Sequence, residues 1–480
     1  MNQEKQTAVN AVEEKKEVIC RAADQIWEYA ELSLQEEKSA AYYCRVLREE
    51  GFLVEEGICN IPTAFAASFG TGSPRIGILA EYDALSGLSQ EAGCTEPREH
   101  IPGGCGHGCG HNLLGAGAMA AAIGIKAYLE KSKKPGTVIL YGCPGEEGGA
   151  AKAFMARDGL WKSLDAALTW HPEDVNEVNT GSSNSCIQTQ YKFSGVASHA
   201  AGAPEKGRSA LDAVELMNIG VQFLREHTSD KARIHYAITD TGGVSPNVVQ
   251  PKASVLYMVR SNHVAEAVEL QERVDRIAQG AALMTDTKVE KKFIDGLADT
   301  VPNSVLEQVL YDNFKELGVP SYTQEELEFA DALAGTYAGS DGVPGVAAEY
   351  DAAAKEEVQA MQKKAGHAMN AFLAPLYKGE AFTPGSTDVG DVSWLTPTAQ
   401  IHVAAWPNGC PGHSWQNVSS GGTSIGHKAA VQAGKVLAAA GVELFEKPEL
   451  LAAAREEFEK RTASGYVCPI PADAVPVVPD

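Results

Sequence analysis

The chain has 480 residues, 44% of them hydrophobic, which is enough to bury a large core and long enough for two domains. Forty Lys and Arg against 63 Asp and Glu give a formal charge of -23, which argues against a nucleic-acid binder and requires local positive charge for any anionic ligand. Ten cysteines are too dilute for a disulfide scaffold, the charged start MNQEKQTAVNAVEEKKEV lacks an apolar leader core, and no later run approaches a membrane span, so a cytoplasmic enzyme with reduced thiols is expected.

Residues 1–50 have the pattern of amphipathic helix. Apolar runs and helical stretches then alternate: RIGILAEYDA (75–84), HNLLGAGAMAAAIGIKAYLEK (111–131), GTVILYGCPGEEGG (136–149) and LDAALTWHP (164–172). That rhythm predicts an α/β fold, a mostly parallel mixed sheet with helices on its faces. From about residue 185 the order becomes strand (186–195), helix (209–226), strand (232–240), strand (253–261), helix (264–285) and strand (288–295), the ferredoxin-like β-α-β-β-α-β unit. In the second of these helices Ala267, Leu270, Val274, Ile277, Ala281 and Met284 form one apolar stripe, read as core. AQIHVAAWP (399–407) and HKAAVQAGKVLAAAGVELF (427–445) restore strand and helix, so residues 185–296 read as an insertion between the halves 1–184 and 297–480 of a first domain. Segment 322–385 has mixed helical signals, and the tail CPIPADAVPVVPD is expected to be extended.

Ligands in open α/β sheets bind beyond the carboxyl ends of the strands, and candidate chemistry clusters there. The loop GCGHGCGHN (104–112) offers two Cys-Gly-His pairs. Cys109 and His111 are the better pair, because His111 abuts a helix whereas Cys105 and His107 follow a flexible Pro-Gly-Gly. A glycine-rich turn with incidental cysteines is the bland alternative. Glu146 and Glu147 follow a strand among glycines, so one carboxylate can coordinate a metal while its neighbour serves as general base; an exposed acidic turn is the alternative. His171 follows the strand AALTW, and His413 lies in the turn CPGHSWQN. Cys, His and carboxylate together are a zinc-like ligand set, though a lone His is more often structural. His100, His227, His235, His263, His367, His402 and His427 belong to no constellation and are read as structural. In the insertion His199 and Lys206 precede a helix, Asn247 lies in a turn, and Arg260 ends a strand.

Taken in order, GCGHNLLG, GCPGEEGG, TWHP, SHAAGAPEKGRSALDAVELMN, NVVQPKASVLYMVRS, GSTDVGDVSW and PGHSWQ span nearly the whole chain and resemble the metal-dependent aminoacylase and glutamate-carboxypeptidase family. The resemblance is to the amidohydrolase branch that includes hydrolases of p-aminobenzoyl-glutamate and of indole-acetyl-amino acids. It implies two divalent metal ions per subunit, zinc favoured by thiolate and imidazole and manganese the alternative. Cys109 would be a thiolate shared or nearly shared by both ions, His111, Glu147, His171 and His413 the remaining ligands, and Glu146 the general base. Asp83, His107 and Asn112 would stand behind the ligands, Asn112 where the branch usually has Asp.

The resemblance further makes 1–184 and 297–480 a catalytic domain and 185–296 a lid and dimerisation domain. His199 would stabilise the oxyanion, in several relatives from the neighbouring subunit, and Asn247 and Arg260 would hold the substrate carboxylate or a nearby oxygen. The implied reaction is hydrolysis of an N-acyl or N-aroyl amino acid of p-aminobenzoyl-glutamate type. Dipeptidase or carboxypeptidase action is the runner-up within enzymes. A homodimer, a related partner subunit, a silent metal-binding subunit, and a redox pair of Cys105 and Cys109 are the other readings considered.

Overall fold

A computed structural model describes residues 1–478. Its larger sheet has seven strands, in the spatial order Leu53–Glu56, Phe65–Thr71, Gly136–Gly142, Arg75–Ala80, Ala166–Glu173, Thr398–Ala404 and Glu177–Asn179. The sheet is mixed: three central pairings are parallel and the three outer ones antiparallel, so the parallel part is narrower than the sequence rhythm predicts. Strands Leu53–Glu56, Phe65–Thr71 and Glu177–Asn179 are the additions, and each lies outside the parallel centre.

Helices His111–Ser132 and Ser424–Glu446 form the centre of the helical layer. Both are apolar almost all round, which suits burial rather than a half-wet face. Their small residues allow close approach, because a Cβ at Gly434 would lie 2.5 Å from the Cβ of Ala120. His111–Ser132 is also long and apolar enough to cross a membrane, unlike the sequence expectation, but 89% of that window is buried inside the fold. Trp170 seals the layer to the sheet: its side chain is fully buried and its indole N–H donates to the Leu114 carbonyl at 2.9 Å. Truncating such a residue to Ala costs about 3–5 kcal/mol.

Residues 1–50 are three helices, Gln3–Glu14, Lys16–Tyr29 and Glu37–Glu49. Ala30 at φ 41° ends the second, and Leu34 at φ 62° lies in the following turn, so one continuous amphipathic helix is excluded. Segment 322–385 contains helices Gln324–Ala334, Val346–Tyr350 and Ala352–Ala365. Thr323 and Glu326 form a capping box at the first, and Glu326 also binds Lys428 and Ser424 of the long helix. After helix Pro448–Arg461 the described part of the tail has no regular structure, and Ile470 is buried.

Between Ser185 and Leu297 the chain makes an antiparallel four-stranded sheet, ordered Lys288–Leu297, Ser185–Ser194, Lys252–Ser261, Arg233–Asp240. Helices Ala210–Arg225 and Val264–Thr285 pack on it around a separate apolar cluster that includes Val214, Val255 and Val274. Arg233–Asp240 is an edge strand with exposed Tyr236 and Ile238.

Candidate metal centre

Five chain segments, three of them strand ends, meet at one cavity of about 420 Å³. Glu81 and Asp83 follow the strand Arg75–Ala80, Glu146 and Glu147 follow Gly136–Gly142, and His171 lies near the end of Ala166–Glu173. Cys109 comes from the loop before helix His111–Ser132. Gly110 has φ 75°, and a Cβ there would meet Pro172 at 2.6 Å, so only glycine lets this loop pack beside His171. His413 completes the cluster with φ 52°, a left-handed conformation costly for a non-glycine residue.

Cys109, His111 and His171 each offer a donor atom, and those atoms all lie within 4.8 Å of one another. Cys109, Glu147 and His413 form a second such group, so the two share Cys109. Cys109 Sγ is 3.4 Å from His171 Nε2, and His413 Nε2 is 3.4 Å from Glu147 Oε1. Among the described residues, buried His111 Nε2 and Glu147 Oε1 have no hydrogen-bond partner. Glu81 Oε2 is 3.3 Å from that His111 nitrogen without hydrogen-bond alignment. Two orphaned buried donor atoms beside thiol and imidazole are what a pair of divalent cations would satisfy.

The electrostatics agree with that fit. Burial pushes the Cys109 thiol well up and His171 well below its ordinary value, so His171 is a neutral donor and a nearby cation is needed to hold Cys109 as thiolate. Burial, then Glu81, Asp388 and Glu147, raise Glu146 far above the ordinary carboxylate range. A carboxyl group with high proton affinity is suited to accept and return a proton. Burial works against ionisation of Asp83, but His111 and hydrogen bonds from Glu147 and Ser33 bring it down to about 2.

The other expected site residues lie in different surroundings. Asp83 contacts His111 directly, Oδ1 to Nδ1 at 2.8 Å. His107 is buried with Nε2 3.0 Å from the Ile26 carbonyl, and burial brings it to about 4. Asn112 faces away, its amide nitrogen 3.4 Å from the carbonyls of Ala23 and Gly421, because the second residue of the helix points toward neighbouring helices rather than the cavity. Arg260 reaches the cavity rim through Nη1 to Ser386 Oγ at 3.1 Å. His199 and Asn247 are exposed on adjoining segments and do not line the cavity. Two backbone N–H groups, of Ala201 and Gly202, donate to His199 Nδ1 at 3.2 and 3.0 Å. The ring proton is therefore held on Nε2, which is free to donate outward.

Sequence reasoning misses several residues here. His402, read as structural, lines the cavity with Nδ1 3.1 Å from Glu177 Oε1. Glu81 is two residues before Asp83, and Lys152 and Asp388 lie buried behind Glu146. A charged residue within the apolar helix Ala151–Arg157 is the available signal for Lys152.

Thiol, imidazole and carboxylate donors beside a carboxyl group of raised proton affinity suit a metal-dependent amidohydrolase. The Peptidase family M20/M25/M40 matches residues 77–392, and the chain belongs to that family. It is 45% identical over 471 residues to a p-aminobenzoyl-glutamate hydrolase subunit of Escherichia coli (strain K12), covering 97% of each chain. To the Xaa-Arg dipeptidase of Mus musculus it is 25% identical over 468 residues, 95% of this chain and 92% of that one. A dinuclear metal-binding M20 peptidase of Bacillus subtilis superposes with a TM-score of 0.55 at 17% identity, over 90% of this chain and 99% of that one, a likeness of fold.

Proposed function

We propose that this chain hydrolyses the amide bond of N-acyl or N-aroyl amino acids, with p-aminobenzoyl-glutamate the favoured substrate. The observation that carries the reading is the pair of donor groups sharing Cys109 beside Glu146, in a chain 45% identical to a p-aminobenzoyl-glutamate hydrolase subunit. Cys109, His111, Glu147, His171 and His413 would hold two divalent ions, zinc favoured by sulfur and imidazole and manganese the alternative. Bound there, such ions supply Lewis acidity at the amide carbonyl and lower the pKa of water.

Glu146 takes the proton of the attacking water and returns it to the leaving amine. His199 donates from Nε2 to the oxyanion, and Arg260 with Asn247 receives the substrate carboxylate. His199 and Asn247 are exposed, so a ferredoxin-like lid spanning 185–296 must close over the catalytic halves 1–184 and 297–480, or a second copy of the chain must supply them. Exposed Leu216, Ile219 and Phe223 on one helix, with the exposed edge strand Arg233–Asp240, support a homodimer through this lid. The Escherichia coli relative is one subunit of its hydrolase, which supports a related partner chain as the other assembly.

Dipeptidase action is the second reading, favoured by the likeness to Xaa-Arg dipeptidase. Amine release from p-aminobenzoyl-glutamate, several N-acyl amino acids and dipeptides separates the two. Preference for dipeptides would overturn the first.

A further inference from the structure

Lys152 is fully buried, and a buried ammonium is tolerated only when paired. Its Nζ lies 2.7 Å from Glu81 Oε1 and 2.5 Å from Asp388 Oδ1. These two carboxylates belong to different parts of the site. The second oxygen of Glu81 is 3.3 Å from His111 Nε2, the face of the imidazole that is otherwise without a partner. Asp388 directly follows Ser386 and Thr387, which line the cavity, and Ser386 accepts from Arg260. Asp388 Oδ2 also accepts the backbone N–H of Lys152 at 3.0 Å, so both its oxygens are committed to one residue.

We propose that Lys152 is a positioning residue for amide hydrolysis: through Asp388 and Glu81 it holds the substrate-side loop 383–388 and the donor face of His111 in one register. The inference rests on the reading of His111 as a metal ligand and Arg260 as a carboxylate receptor. Lys152 itself is closed off from the cavity and touches no reacting atom. Among the described residues, Lys152 is the one lysine or arginine paired with Glu81. Without the ammonium, Glu81 turns away from Asp388 and Glu146, and its second oxygen leaves the His111 face. The 383–388 loop loses its tether at the same time, so a change on the ligand side is accompanied by one on the substrate side.

Simple charge neutralisation is the competing account, and Lys152→Met compared with Lys152→Met/Asp388→Asn separates the two. The double variant removes the cation and one of its anions together, so the fold regains stability lost in the single variant. Three quantities are read on the full chain: thermal midpoint, zinc retention against a chelator, and kcat with KM for p-aminobenzoyl-glutamate. Positioning predicts a double variant of near-normal midpoint with zinc affinity lower by about 10-fold or more, the range for outer partners of metal ligands, and kcat reduced with it. Zinc affinity and kcat that recover along with the midpoint would overturn the proposal. If wild-type chain gives no turnover, the substrate reading fails, while zinc retention still decides the role of Lys152. If Lys152→Met does not fold, the double variant gives the answer alone.

Discussion

Asp83 Oδ1 accepts from Nδ1 of His111 at 2.8 Å, and this contact decides which side of the imidazole is free. Nδ1 faces Asp83, so Nε2 is the ring atom turned toward Cys109 and His171 and is the one that would bind a cation. The other oxygen of Asp83 accepts from Ser33 Oγ at 2.8 Å and from the Glu147 backbone N–H at 2.9 Å. One buried carboxylate thus orients two candidate ligands. Asp83→Asn places an amide where two acceptor oxygens are required, and metal affinity should fall about 10–100-fold. Competition with a chromophoric chelator measures this, and unchanged affinity would remove Asp83 from the centre.

Glu146→Gln keeps the shape of the side chain and removes the proton acceptor. Turnover should drop about 10²–10⁴-fold with metal content per chain unchanged, because Glu146 is assigned to proton transfer and Glu147 to coordination. Metal analysis beside steady-state kinetics tests both halves. Loss of metal together with turnover would exchange the two roles.

Arg260→Met should lower kcat/KM for an N-acyl amino acid by about 10–100-fold, since a charged hydrogen bond contributes about 1.5–3 kcal/mol. The same substitution should barely affect a substrate whose carboxylate is capped as an amide. Equal losses on both substrates would show that Arg260 supports the loop through Ser386 rather than binding the carboxylate.

Glu307 gives a pH signature away from the metal centre. Burial raises its carboxyl from 4.5 to about 7, against the hydrogen bond from Thr180 Oγ1 at 2.7 Å. Folded chain therefore keeps a proton that unfolded chain releases, and this group's contribution to stability is fully present below 4.5 and lost as pH rises through about 7. The full effect is about 3 kcal/mol. Relative to wild type, Glu307→Gln should gain thermal midpoint between about pH 5 and about pH 8, by an amount set by this free energy. Parallel midpoint curves would contradict the assignment.

The fold and the ligand candidates are legible in the sequence to different degrees. Glu146, Glu147 and His171 stand at the turns that end apolar runs, Cys109 and His111 stand where a helix begins, and the structure gathers the five together. Glu81 escapes sequence reading although it shares strand parity with Asp83, and alternate residues at a strand end face the same way. His402 reads as structural because a strand histidine shows its partner only when the neighbouring strand is known; that partner, Glu177, lies on Glu177–Asn179. Asn112 follows His111 in sequence but points elsewhere, because consecutive helix residues diverge by about 100°. In segment 322–385 the signals are local and present: Thr323 with Glu326, and Asp351 and Gly366 bracketing Ala352–Ala365. Their interpretation requires the packing partner, the long helix that carries Lys428.

The central claim is that metal bound at the Cys109-centred cluster makes this chain an amide hydrolase. The most direct measurement follows amine release from p-aminobenzoyl-glutamate as zinc, or separately manganese, is titrated into chelator-stripped chain, with Cys109→Ser in parallel. Turnover that rises to a plateau at two ions per wild-type chain and stays at background in Cys109→Ser is the predicted result. Full turnover in the stripped chain, or an unaltered titration in Cys109→Ser, would contradict it.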